Sequence, residues 1–196
     1  MTDQEGIIYN QIEESIALER YLQRETKTLM LIADEMTQAF RRGNKALLFG
    51  NGGSAADAQH IAAELTGKLY LNRKPLPAIA LTSNTSALTA IANDYGYEQV
   101  FVRQLQSLVT TGDVVIGIST SGNSPNVILA MEEAKRRGAM TIALTSSGGT
   151  LKQIVDYALC IPSDDVARTQ EAHITAGHII CYLVEQALFG NVADDK

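Results

Sequence analysis

Short apolar runs without polar alternation, separated by stretches of helical periodicity, constrain this chain more than any other feature. The runs are Ala46–Phe49, Ala78–Leu81, Val114–Ile118, Thr141–Thr145 and Ala158–Ile161. A strand with one wet face alternates apolar and polar residues; a strand covered on both faces does not, and coverage on both faces is what a parallel sheet needs. Helical patterns fill the gaps: Ser54–Thr66, Ser86–Asn93 with Glu98–Leu108, Pro125–Arg137, a short stretch near Leu151–Val155, and a last helix from about Gln170 to Phe189. This alternation predicts an α/β fold: a doubly wound five-stranded parallel sheet flanked by helices, with strand order 2-1-3-4-5. The polar tail Gly190–Lys196 is expected to fray.

Two helical patterns precede the alternation. Ile8, Ile12, Ile16 and Leu18 form an apolar stripe over roughly residues 4 to 23, and Leu29, Ile32, Met36, Ala39 and Phe40 form a second, stopped near Gly43. With little inside one domain to cover them, both stripes are expected to serve oligomerisation. At 196 residues, with 45% apolar and 19% charged side chains and no dividing linker, residues 1–196 read as one globular domain, the helical segment 1–43 included.

A net charge of −6, with no Lys/Arg run longer than two, argues against nucleic acid as a partner. No apolar run approaches the ~18 residues of a membrane span, and Met1–Gly6 lacks a signal pattern, so a cytoplasmic location is expected. Cys160 and Cys181, both in apolar stretches, fit buried reduced thiols.

Ligands of open α/β sheets bind beyond the carboxyl ends of the strands. Two turns there carry suitable chemistry. Gly50-Asn51-Gly52-Gly53-Ser54 follows the first strand; its glycines allow close backbone approach, and Ser54 is expected to cap the next helix with Asp57 in the capping-box position. Ser119-Thr120-Ser121-Gly122-Asn123-Ser124 follows the third, with four hydroxyls ahead of Pro125 at the first helical position. Hydroxyls, amides and a helix N-terminus can hold a phosphate without Lys or Arg. Either turn alone fits an ordinary βα connection; the pair points to a phosphorylated small molecule. There is no P-loop motif, and no acid follows Leu81 to hold a dinucleotide ribose.

His60 and Glu64 stand four apart on a predicted helix and so share a face. Such a pair can ligate a divalent metal or simply hydrogen-bond at a surface. The last helix adds Gln170, Glu171, His173 and His178; Gln170 and His178 are about two turns apart and can reach one centre, although His178 amid Ile174, Ile179 and Ile180 also fits a core histidine. Spacing leaves these readings open.

Taken in order, Gly50–Ser54, His60-x-x-x-Glu64-Leu-Thr-Gly67, Ala90-Ile-Ala-Asn93-Asp94-Tyr-Gly96, Gly117–Ser124 and Gln170-Glu-x-His173-x-x-x-x-His178 resemble the sedoheptulose 7-phosphate (phosphoheptose) isomerases of the sugar-isomerase (SIS) domain superfamily, over nearly the whole chain. The resemblance implies a homotetramer with active sites between subunits, and one zinc ion per subunit on His60, Glu64, Gln170 and His178. It implies substrate contacts from Asn51, Gly52, Gly53, Ser54, Glu64, Asn93, Asp94, Ser119, Thr120, Ser121, Ser124 and Gln170. The implied reaction is enediol proton transfer, for which Glu64 is the expected base and His178 its acid–base partner, with His173 and Asp94 as further candidates. A similar non-catalytic branch associates with the replication initiator and typically lacks the Glu of the His-x-x-x-Glu motif and the final His; both are present here. Lys68 and Asn84 depart from the common pattern, in which Arg and Asp are frequent.

Overall fold

The computed structural model describes residues 2–190. Five parallel strands, β1 (Ala46–Gly50), β2 (Ala78–Ala80), β3 (Val114–Ser119), β4 (Met140–Ser146) and β5 (Tyr157–Ile161), form one sheet in the order β2-β1-β3-β4-β5, as expected. Every residue of β1 and β3 is buried. Successive residues of β1 enter opposite cores: Ala46 and Leu48 pack with one helical layer, Leu47 and Phe49 with the other. That two-sided burial is why the runs show no polar alternation. Phe49 stacks on Phe101 of the second layer, ring centres 4.8 Å apart.

The helices are α1 (Asp3–Leu22), α2 (Thr26–Arg41), α3 (Gly53–Thr66), α4 (Thr85–Tyr95), α5 (Val100–Leu108), α6 (Pro125–Arg136), α7 (Leu151–Ile154) and α8 (Val166–Phe189). α8 begins a turn earlier than the apolar pattern suggests, because the Asp165 carboxylate accepts from Ala167 N–H (2.8 Å) and Arg168 N–H (3.0 Å). Thr2 and Glu5 close a capping box on α1. No helix among the described residues is long and apolar enough to cross a membrane. The polar tail beyond Gly190 lies outside the described residues.

The structure corrects the expectation that both leading helices lack cover. Leu29, Ile32, Ala33, Met36 and Ala39 of α2 are buried in the core that α3 and α8 complete. α1 keeps an exposed stripe, with Ile7, Ile8, Tyr9 and Ile12 each more than half exposed, and α2 leaves Met30 and Leu31 about half exposed. Of the two free thiols, Cys181 is buried and pushed up to about 12 by desolvation, whereas Cys160 is only partly buried.

β1 and β3 are neighbours, with Gly50 opposite Ile118. The chain leaves β1 for one side of the sheet and returns through β3 to the other, so a crevice opens between their carboxyl ends. Both candidate turns stand at this mouth.

Candidate active site

The first turn is built for close approach. Gly52, at φ +55°, occupies the N-cap of α3, a conformation that side-chain-bearing residues rarely adopt. A Cβ on Gly53 would collide with Nε2 of Gln170, so glycine is what lets the α8 amide rest on the turn. The expected capping role of Ser54 is not found. The cap position is Gly52, with no side-chain bond, and Ser54 is buried inside the first helical turn. Asp57 therefore has no capping box to join. Its Oδ2 is buried without a hydrogen-bond partner among the described residues, and desolvation raises its carboxyl to about 6 against the pull of His60.

In the second turn Ser119 Oγ and Ser124 Oγ stand 3.1 Å apart, and Ser121 Oγ accepts from Asn123 N–H at 3.2 Å. Thr120, between them, is half-buried. Pro125, which has no N–H, holds the first position of α6, no side chain among the described residues caps that helix, and Val127 N–H already bonds the Ser124 carbonyl at 3.1 Å, so the helix dipole and the hydroxyls of the turn are what attract an anion. The turn is braced from below: Thr145 Oγ1 donates to the Ser119 carbonyl (2.8 Å), and His173 Nε2–H donates to the Thr145 carbonyl (3.2 Å).

Asn51 and Asn126 join the two turns, each amide donating to the other at 2.9 Å. Tyr97 adds its hydroxyl to Asn51 Oδ1 at 3.0 Å. A cavity of about 250 Å³ opens here, lined by Asn51, Tyr97, Glu98, Ser124, Pro125 and Asn126.

About two turns along α3 lies a second constellation. α3 and α8 run side by side in the same direction, Gly53 meeting Gln170 and Ile61 meeting Gly177. A Cβ on Gly177 would lie 2.7 Å from Ile61 Cδ1, so the helices touch closely and bring His178 to His60. His60 Nε2 is 3.1 Å from Glu64 Oε1 and 3.2 Å from His178 Nε2. Ligand atoms of all three residues lie within 4.8 Å of one another. Two imidazole nitrogens and a carboxylate oxygen converge with too few protons to satisfy every lone pair. The two separations from His60 Nε2 are close to the ~3.4 Å between neighbouring ligand atoms of a tetrahedral centre with bonds of about 2.1 Å. The donor set thus fits a divalent metal such as zinc.

Not every expected residue joins this cluster. Gln170 lies against Gly53 at the mouth, eight positions before His178 on the same helix, about 12 Å of rise away. Asn93 and Asp94 sit exposed at the end of α4, hydrogen-bonded to each other at 2.8 Å. His173, a candidate for proton transfer, is instead fully buried; desolvation lowers it to about 4, so it is neutral.

Sequence reasoning missed several supporting groups. Glu185, fully buried, accepts from the N–H groups of Leu69, Tyr70 and Leu71 and from Arg73 Nε (2.9 Å). Arg73 in turn donates to the carbonyls of Glu64 and Leu65, closing the end of α3. The loop so held carries Tyr70, which meets Tyr182 edge-to-face at 5.5 Å. With His178, Ile179 and Gln186 these two rings line a cavity of about 550 Å³ beside the cluster. No local spacing announces such contacts.

The SIS domain family matches residues 10–146. A phosphoheptose isomerase from Roseiflexus sp. (strain RS-1) is 53% identical over 184 residues, 93% of each chain. This chain belongs to the phosphoheptose isomerase family. The Trichlorobacter lovleyi phosphoheptose isomerase is 48% identical over 97% of this chain and 98% of its own. The solved phosphoheptose isomerase of Neisseria gonorrhoeae superposes with a TM-score of 0.88 at 41% identity, covering 93% of this chain and 99% of that one. That of Francisella tularensis gives 0.90 at 36%, covering 95% and 100%.

Proposed function

We propose that this chain interconverts sedoheptulose 7-phosphate and D-glycero-D-manno-heptose 7-phosphate by proton transfer between C1 and C2. The observation that carries the reading is the convergence of His60, Glu64 and His178 on the flank of the helix whose N-terminus opens at the phosphate-binding mouth.

Ser119, Thr120, Ser121 and Ser124, with the positive end of the α6 dipole, grip the phosphate dianion. That remote grip orients the reacting end. Backbone N–H groups of Gly52 and Gly53, the hydroxyl of Ser54 and the side chains of Asn51, Asn93, Asp94 and Gln170 hold the sugar oxygens. Glu64 takes a proton from C1 of the ketose and, after that proton has exchanged with solvent, delivers one to C2. His178 moves the accompanying proton between the two oxygens, so the enediol forms and collapses with no net charge change. A zinc ion held by His60, Glu64, Gln170 and His178 would supply polarisation of those oxygens.

The working form proposed is a cytoplasmic homotetramer of single SIS domains spanning residues 1–196, with active sites between subunits and segment 1–43 contributing the α1 stripe. A non-catalytic sugar-phosphate regulator is the alternative; presence of both Glu64 and His178 in one cluster speaks for the enzyme. Incubating the purified protein with sedoheptulose 7-phosphate, before and after chelation, tests the proposal. Turnover that falls on chelation and returns with zinc is expected; binding without turnover would overturn it.

A further inference from the structure

The Asn51–Asn126–Tyr97 node stands where three chain segments meet. Asn51 belongs to the turn after β1, Asn126 to the first turn of α6 beyond the hydroxyl loop, and Tyr97 to the 3-10 turn Tyr97–Gln99 that follows α4 and its Asn93–Asp94 pair. Asn126 is 2% exposed, whereas Tyr97 is 57% exposed. Both lone pairs of Asn51 Oδ1 are engaged, one by Asn126 Nδ2–H and one by the Tyr97 hydroxyl, and one Nδ2 proton goes to Asn126 Oδ1. What remains for a ligand is one Nδ2 proton. Asn51 is thereby fixed as a donor, the polarity that sugar and phosphate oxygens require.

We infer that Asn126 and Tyr97 are positioning residues: they act through Asn51 to hold the two ligand turns and the Asn93–Asp94 segment in register. The inference rests on the proposed sugar-phosphate site and adds two residues outside it. Neither carries a proton in the reaction, so their loss is felt in substrate binding rather than in the chemical step. Because both work through one amide, their effects are not independent.

The test compares Tyr97→Phe, Asn126→Ser and the double variant with the unsubstituted chain. Tyr97→Phe removes one hydroxyl from an exposed ring, so the fold is not at issue in that variant. Each single variant should raise KM for sedoheptulose 7-phosphate about three- to tenfold, the worth of one hydrogen bond at 1.4 kcal/mol per tenfold. kcat should stay within about threefold, and the double variant should fall well short of the product of the single effects. Calorimetric Kd for the same sugar phosphate, measured in parallel, reads the node even if the unsubstituted chain binds without turnover, a result that would sink the isomerase reading alone. An unchanged KM and Kd in Tyr97→Phe would overturn the inference. So would single effects that multiply in the double variant, or losses confined to kcat.

Discussion

Glu64 and His178 are asked both to bind and to move protons, and their surroundings show how one cluster can do so. Neither is deeply buried, so each keeps access to substrate and solvent. Burial instead governs His173, five residues before His178 on the same helix. Its protonation is suppressed in the folded chain, to about 4 from an ordinary 6.5. The unfolded chain therefore binds more protons between those values. Stability from this residue is complete above about pH 6.5 and drains away as pH falls toward 4, by roughly 3 kcal/mol over the window. Urea titrations at pH 7 and pH 4.5 should show a smaller acid loss in His173→Asn than in the unsubstituted protein; equal losses would mean that His173 titrates normally.

At the scale of elements, the site depends on how α3 meets α8 and on the loop between α3 and β2. Glu185 and Arg73 pair at 2.9 Å with almost no exposure and bind that loop and the last carbonyls of α3 together. Removing one partner of a buried pair leaves the other charged and unmatched, at a cost of about 3–5 kcal/mol. Glu185→Ala should lower the unfolding free energy by that amount, with Glu185→Gln milder because it still accepts from the loop N–H groups. A change below about 1 kcal/mol in Glu185→Ala would refute the clamp. This contact was illegible in the sequence because its partners stand 112 residues apart and leave no periodic trace. The same holds for Tyr97 and Asn51. Elements made by local pattern were legible: β1 and β3 from unbroken apolar runs, α6 from Pro125, and the shared face of His60 and Glu64 from a spacing of four. The misreadings of Ser54 and α2 came from tertiary context, a glycine already at the N-cap and a last helix lying across the supposed interface.

For the molecule as a whole, sheet order places the two turns side by side, and the packing of α8 on α3 sets the His–Glu–His cluster along the same flank. The exposed stripe of Ile7, Ile8, Tyr9 and Ile12 on α1 is the part of the proposed assembly that one chain leaves uncovered. Light scattering should give a mass near four chains of 21.2 kDa, reduced by Ile8→Glu with Ile12→Glu; a monomer in the unsubstituted protein would contradict the assembly. The central claim, that Glu64 carries the carbon proton, is tested most directly by following sedoheptulose 7-phosphate in D₂O by NMR, with the unsubstituted protein and with Glu64→Gln. The account predicts heptose 7-phosphate carrying solvent deuterium at C2, formed at least ~10²-fold more slowly by the variant. Product free of deuterium, or equal rates from the two proteins, would contradict it.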